Sequence, residues 1–132
     1  MIVLDENILE SQRQLLQKWN IPIRQIGYEA GRKGKKDREI IDFLLSVHRV
    51  TFFSSDKHFY KRTLCHASYC LVFLDVEQSE TALFIRRLLR HDLFRTQAQR
   101  RGNVIRVSHS GGSIWEPHSQ KEKHFFWTSL RN

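Results

Sequence analysis

The chain has 132 residues and 40% hydrophobic content, enough for one hydrophobic core and too little for two, so we expect a single domain. No stretch approaches the roughly 18 to 20 uninterrupted apolar residues that a membrane-spanning helix needs, and the chain opens with an acidic rather than a basic segment. These features argue against a membrane protein and lead us to expect a cytoplasmic one.

The charge balance is strongly basic. Lys and Arg number 22 against 14 Asp and Glu, which gives a net charge of +8. Excess Lys and Arg attract polyanions over long range and release their counterions, so nucleic acid is the first partner to consider. Charge alone leaves two alternatives open, a basic surface that serves solubility and a surface that binds an acidic protein.

The first half of the chain alternates between apolar runs and helical patterns. Ile2–Leu4 predicts a short strand, and apolar residues then recur at helical spacing at Ile8, Leu9, Leu15, Leu16 and Trp19. A second short strand is expected within residues 21–26, followed by a polar loop at residues 31–36. Asp37 stands where a helix N-cap belongs, and residues 50–53 predict a buried strand.

The second half continues this alternation and then changes character. Residues 69–74 predict a strand, a long helix starts near Ser79, and residues 103–107 predict a fifth strand. Strands and helices that alternate over short connections favour an α/β fold with a mostly parallel sheet covered on both faces. From Gly111 onward the sequence is polar and aromatic, so we expect residues 111–132 to be a tail outside the core. Cys65 and Cys70 are expected to be buried thiols.

Three acidic residues occupy positions that can converge on one site. Asp5 and Asp56 come just after predicted strands, and the carboxyl ends of parallel strands meet at one edge of a sheet. Asp37 heads the helix that packs beside them, although capping alone also explains an Asp at that position. Carboxylates in close proximity repel one another unless a cation lies between them, and oxygen ligands suit Mg²⁺ or Mn²⁺. Glu6 and Asp75 are reserve candidates for this predicted metal site.

Three segments of the sequence resemble a known family. They are Val3-Leu4-Asp5-Glu6-Asn7, the helix start Asp37-Arg38-Glu39-Ile40, and Phe53-Ser54-Ser55-Asp56-Lys57-His58-Phe59. Together they resemble the PIN-like domains related to the toxin nucleases of bacterial toxin-antitoxin pairs, over residues 1 to about 110. The family's third motif commonly runs Thr-x-Asp-x-Asp-Phe. Ser54 then stands at the hydroxyl position, Asp56 at the first acidic position, and His58 where the second acid belongs.

The resemblance implies a PIN-like nuclease domain with a three-layer α/β/α fold over residues 1–110. It also implies a metal-dependent endoribonuclease that uses Mg²⁺ or Mn²⁺, with Asp5, Asp37 and Asp56 as catalytic metal ligands and Ser54 and His58 in support. A cognate antitoxin protein is then an expected partner. His58 in place of an acid leaves three alternatives open: fewer metal ligands, a changed metal preference, or an inactive RNA- or protein-binding module.

Basic residues flank the predicted site in sequence. We expect them to hold the RNA backbone, which positions a substrate without specifying bases; they are Lys35, Lys36, Arg38, Lys57, Lys61 and Arg62. A plain solvated charged surface explains them equally well. For Tyr28, Tyr60, Trp115 and Trp127, packing in the core or at an oligomer contact such as a homodimer is preferred over stacking on bases. A receiver-like regulatory domain is disfavoured, because the last predicted strand offers Arg106 where such domains carry a Lys.

Overall fold

A computed structural model of the chain describes residues 1–28 and 37–127. In these two segments seven strands form one sheet: β1 (Ile2–Leu4), β2 (Arg24–Gln25), β3 (Val50–Ser54), β4 (Tyr69–Leu74), β5 (Val104–Val107), β6 (Gly111–Trp115) and β7 (Lys123–Phe126). The helices are α1 (Glu10–Lys18), α2 (Asp37–Val47), α3 (Thr81–Arg90) and the short α4 (Gln97–Arg100). Short 3₁₀ helices lie at Lys57–Phe59, Arg62–Leu64 and Gln78–Glu80.

The strand order is β2-β1-β3-β4-β5-β6-β7. The pairs from β2 to β5 are all parallel, whereas β6 and β7 join the sheet in antiparallel orientation. The predicted α/β fold with a mostly parallel sheet is therefore confirmed. The predicted strands of the first 110 residues all occur, and β4 covers residues 69–74 as expected.

Helices cover the sheet on opposite sides, and each side has its own hydrophobic core. On one side Leu16 of α1 and Ile85 and Leu88 of α3 belong to the same buried cluster as Leu4 and Phe53. A second buried cluster joins residues of α2 to the alternate residues of the strands, namely Ile40, Leu44, Val3, Phe52 and Leu71. Because successive side chains of a strand point to opposite faces, β3 places Phe52 in one core and Phe53 in the other, and β1 likewise divides Val3 and Leu4 between them.

The connections leave β1 in opposite directions across the sheet. The chain passes from β1 through α1 to β2 on one side, and then through α2 to β3 on the other side of β1. Ligands of open parallel sheets bind where the strand order reverses in this way, outside the carboxyl ends of the strands. In this chain that position lies between β1 and β3. Asp5 is the first residue after β1, and Asp56 is the second residue after β3.

The expectation of a tail outside the core was wrong for residues 111–127. Ile114 and Phe125 are buried in the core on the α3 side, and β6 and β7 extend the sheet by two strands. Gly111 and Gly112 resemble loop residues in sequence, yet they are strand residues that lie close to the neighbouring backbone. A Cβ at Gly112 would lie 1.9 Å from the carbonyl oxygen of Arg106. Residues 128–132 lie outside the described part of the chain.

The two cysteines are free thiols, of which Cys70 is buried and Cys65 half-buried. Burial raises the pKa of Cys70 to about 12, so this thiol is unreactive at neutral pH. Within residues 1–28 and 37–127, no helix is both long and apolar enough to cross a membrane.

Candidate metal centre

The carboxyl ends of β1 and β3 are joined by a chain of hydrogen bonds. The amide of Asp56 donates to Ser54 Oγ at 3.0 Å, and the Ser54 hydroxyl donates to Asp5 Oδ2 at 2.6 Å. The other oxygen of Asp5 accepts the amide of Glu6 at 2.8 Å. Ser54 thus connects Asp5 to the backbone of Asp56.

Asp37, Asp56 and His58 each bring one ligand atom within 4.8 Å of the others. Asp37 is the first residue of α2, one position inside the helix from the predicted cap, and it is exposed. Asp56 caps the 3₁₀ helix Lys57–Phe59 by accepting the amide of His58 at 2.9 Å, and its Oδ1 lies 2.8 Å from His58 Nδ1. This turn brings His58 next to Asp56. The histidine that stands in place of the expected acid is therefore part of the site.

Asp5 lies behind this group and is only 5% exposed. Burial raises the pKa of its carboxyl, and the negative charges of Glu6 and Asp56 raise it further. The hydrogen bonds from Ser54 and from the Glu6 amide lower the pKa and offset part of this effect. Asp5 is not among the three residues that meet within 4.8 Å, so in the present geometry it supports Asp56 through Ser54.

The two reserve candidates differ in their surroundings. Glu6 is half-buried and adjoins Asp5. Asp75 follows β4 and pairs with Arg106 of β5, whose Nε and Nη2 donate to Asp75 Oδ2 at 3.0 and 2.6 Å. The ion pair with Arg106 gives Asp75 a structural partner of its own.

Basic side chains follow Asp56 along the chain. Lys57, Lys61 and Arg62 are exposed, as is Arg38 on the first turn of α2. Within the described part of the chain no carboxylate oxygen lies within 4.0 Å of the nitrogens of Lys57, Lys61 or Arg62. The charges of these three residues are therefore available to an anionic ligand. Lys35 and Lys36, also predicted to bind RNA, lie outside the described residues.

Two residues make hydrogen bonds around the site that the sequence did not predict. The buried Gln25 donates from Nε2 to the carbonyl oxygens of Asp5 and Ile8, at 3.1 and 2.9 Å, and so fixes the turn after β1. The Tyr60 hydroxyl donates to Glu122 and lies 2.7 Å from Ser113 Oγ, which ties the segment after Asp56 to β6 and the residue before β7. The sequence feature that could have indicated a buried Gln25 is its position between the apolar residues 23 and 26.

Comparison with protein-family models, with curated proteins and with solved structures finds no match to this chain. The chemistry of the site therefore rests on its own residues and their geometry.

Proposed function

We propose that the chain is a metal-dependent endoribonuclease with a PIN-like fold, in which Asp37, Asp56 and His58 hold the metal ion. The observation that carries the proposal is the meeting of these three side chains within 4.8 Å at the point where the strand order reverses. Two carboxylates and an imidazole are a donor set that suits Mn²⁺ and admits Mg²⁺. A divalent ion bound there would lower the pKa of a water ligand and neutralise charge on the attacked phosphate.

The chain's own residues then have separate tasks. Asp5, through the Ser54 hydroxyl, holds the backbone of Asp56 in place. The exposed Lys57 and Lys61 bind phosphates of the substrate, because they carry free positive charge on the segment that follows Asp56. The net charge of +8 supports a polyanionic substrate, and the resemblance to PIN-like nucleases makes that substrate RNA.

Cleavage of a labelled single-stranded RNA tests this function. We expect the parent protein to cut in Mn²⁺ and more slowly in Mg²⁺, and to be inactive in EDTA. Asp56→Asn should lower the rate about a hundredfold or more, since it replaces a carboxylate ligand of the metal by a neutral amide while it keeps an oxygen that can cap the turn carrying His58.

Asp42→Asn is the matched control for Asp56→Asn. Asp42 is an exposed carboxylate on α2 outside the three-residue group, so its substitution removes the same charge without touching the site. Equal rates for the parent and Asp56→Asn would overturn the proposal, as would activity that survives EDTA.

The contact between Asp56 and His58 favours a second function, an RNA-binding module without catalysis. His58 Nδ1 lies 2.8 Å from Asp56 Oδ1, so the imidazole can donate a hydrogen bond to this carboxylate in place of a metal ion. Titration of Mn²⁺ against the protein, followed by calorimetry, separates the two functions. A binding module of this kind takes up no Mn²⁺ at millimolar concentration, whereas the nuclease binds one ion and loses it in the Asp37→Asn variant.

The toxin role is a further part of the proposal. An endoribonuclease that acts as the toxin of a toxin-antitoxin pair arrests growth when it is expressed alone. We expect induced expression of the parent chain to arrest growth and expression of Asp56→Asn at the same level to be harmless. Normal growth with active enzyme present would count against the toxin role and leave the nuclease activity standing.

A further inference from the structure

A groove of about 510 Å³ lies on the α2 side of the sheet, where Cys65 packs against the same core as α2. One wall is the segment before β4, which includes Arg62, Cys65 and His66, and the other is the turn between β6 and β7, which includes His118 and Gln120. Its volume is in the range of about 300–1,000 Å³ that small organic ligands occupy. The groove is thus large enough for a single nucleotide.

The first wall offers a cation and an ordered aromatic ring. Arg62 is exposed and has no carboxylate within 4.0 Å in the described part of the chain. The His66 ring stacks on Tyr69, with 5.6 Å between ring centroids and 24° between planes. Its Nδ1 accepts the amide of Ser68 at 3.0 Å, so the neutral ring carries its proton on Nε2 as a donor.

The acidic residue among those that line the opposite wall is paired with a cation. Glu116 is paired with Lys123, whose Nζ lies 2.5 Å from the carboxylate. Gln120 and His118 are exposed and supply an amide and a second imidazole. His118 has φ of 63°, the left-handed conformation that non-glycine residues seldom adopt and that often occurs at binding sites. A phosphate at Arg62 therefore faces hydrogen-bonding groups rather than a repelling carboxylate.

The groove is within reach of the metal ligands along the chain. Arg62 lies six positions after Asp56, and six residues span at most about 20 Å. A stacked strand advances about 3.4 Å per nucleotide, so about six nucleotides or fewer connect the two places. The exposed Lys57 and Lys61 lie on the intervening segment and offer charge to the phosphates in between.

We propose that this groove binds one unpaired nucleotide of a single-stranded RNA, with its phosphate on Arg62 and its base against the His66 ring. The proposal rests on the proposed function for the class of substrate and adds a second contact point, at which the base is held. Unpaired bases are recognised by stacking on rings such as His and by hydrogen bonds to their edges, and this groove provides both. An acidic protein segment would use Arg62 but has no need of an ordered ring.

Cys65 makes the groove measurable without any cleavage. It lines the groove and is half-buried, and burial raises the pKa of its thiol, so it is alkylated slowly. Cys70 is 1% exposed and stays unlabelled, so mass spectrometry reports Cys65 alone. The experiment follows alkylation by iodoacetamide in EDTA, with and without a six-nucleotide RNA whose binding is measured by fluorescence anisotropy.

We expect the RNA at ten times its Kd to slow alkylation of Cys65 about tenfold, because about one groove in eleven is then free. Arg62→Ala should weaken binding about tenfold, so that the same RNA concentration slows alkylation of Cys65 only about twofold. Arg90→Ala removes an exposed arginine on α3, on the other side of the sheet. This variant should keep the RNA affinity and the Cys65 protection of the parent. Rates are compared as ratios with and without RNA in each variant, because the charge of Arg62 itself lowers the pKa of Cys65.

Three results would overturn the proposal that the groove binds a nucleotide. The first is that the protein does not bind RNA, and the second is that RNA binds while Cys65 is alkylated at the rate of the free protein. The third is that inorganic phosphate or polyglutamate protects Cys65 as well as RNA does. The last would make the groove a general anion site or a site for an acidic protein. If RNA is cleaved in Mn²⁺ but leaves Cys65 unprotected, the nuclease activity is supported and nucleotide binding in the groove is refuted. Protection in EDTA by an RNA that is never cleaved supports the groove and counts against the nuclease.

Discussion

Asp5 accepts two hydrogen bonds, from Ser54 and from the Glu6 amide, while it is almost completely removed from solvent. Burial raises the pKa of this carboxyl above its ordinary value, and Asp56 adds to the shift. The folded chain therefore binds the Asp5 proton more tightly than the unfolded chain does. Stability that depends on Asp5 is largest at low pH and falls as the pH rises from about 3.9, the value for an unfolded Asp, through the folded-state pKa.

Asp5→Asn tests this consequence in metal-free protein. Asn can accept the Glu6 amide with Oδ1 and donate from Nδ2 to Ser54 Oγ, so the variant keeps both contacts without a buried charge. We expect it to be more stable than the parent at pH 7 by about 1 kcal/mol, a typical size for a single substitution, and equally stable near pH 4. Thermal unfolding at the two pH values measures the difference.

Asp42→Asn is the reference for Asp5→Asn, because Asp42 is exposed and its substitution should change the melting temperature little at either pH. A stability difference between Asp5→Asn and the parent that is the same at pH 4 and pH 7 would refute the argument. Added Mn²⁺ should stabilise the parent more than Asp5→Asn, since a bound cation compensates the carboxylate that Asn lacks.

His58 brings a nitrogen donor to a site that is otherwise built from carboxylates. Imidazole suits transition metals better than Mg²⁺, whereas an added carboxylate suits Mg²⁺. We therefore expect His58→Asp to raise the ratio of the cleavage rate in Mg²⁺ to the rate in Mn²⁺, by about tenfold if one ligand changes the differential metal affinity by about 1.4 kcal/mol. His124→Asp, an exposed histidine on β7, is the control and should leave the ratio unchanged. An unchanged ratio in His58→Asp would remove His58 from the metal ligands.

At the scale of elements, β7 contributes an aromatic side chain to the core. The Phe125 ring packs edge-to-face on Phe94, His91 and Trp127, with centroid distances of 5.0, 5.4 and 5.5 Å. The indole Nε1 of Trp127 donates to the carbonyl oxygen of Ser108 at 2.8 Å. These contacts join the last strand to the end of α3 and to the turn before β6.

Phe125→Ala should therefore destabilise the protein by about 3–5 kcal/mol, the usual cost of removing a buried phenylalanine. Phe126→Ala is the matched control. Phe126 is the next residue on the same strand and is 72% exposed, so its substitution should cost less than about 0.5 kcal/mol. Denaturant titration gives both free energies of unfolding. Equal and small effects for the two substitutions would mean that residues 111–127 do not stabilise the core.

The elements that the sequence predicted well are those in which local pattern and tertiary environment agree. Residues 69–74 are apolar because β4 is covered on both faces, and an uninterrupted apolar run is the sequence pattern of such a strand. β6 and β7 were missed because their pattern is set by neighbours: Gly112 is required by the nearby Arg106 carbonyl, and Phe125 is buried while His124 and Phe126 are exposed. Two apolar groups separated by a polar turn at residues 116–122 were the signal of a hairpin.

The candidate site was only partly predictable for a similar reason. Strand ends and the topology of the sheet place Asp5 and Asp56 at one edge, which spacing in the sequence indicates. How deeply each side chain is buried depends on tertiary packing. Asp5 is buried, whereas Asp37, Asp56 and His58 are more exposed and form the group of three ligands. His58 enters that group because Asp56 caps a single 3₁₀ turn, a detail that residue types alone do not specify.

At the scale of the whole molecule, the distribution of charge decides where a polyanion binds. Lys57 and Lys61 are exposed on the segment that follows Asp56, whereas Lys18 and Arg90 are exposed at the ends of α1 and α3 on the opposite side of the sheet. All four contribute equally to the net charge of +8. At 0.1 M salt charges are screened beyond about 10 Å, so only those that contact the RNA affect its binding strongly.

Two double variants with the same change in net charge separate position from charge. Lys57→Gln with Lys61→Gln should flatten the dependence of log Kd on log salt by about 1.4, because each phosphate contact with a single strand contributes about 0.7. Lys18→Gln with Arg90→Gln should leave the slope within error of the parent. Anisotropy titrations of RNA in EDTA over a range of salt concentrations measure both slopes without cleavage. Equal flattening by the two double variants would mean that RNA is attracted by the net charge as a whole, and the segment after Asp56 would then lose its role as the path of the RNA.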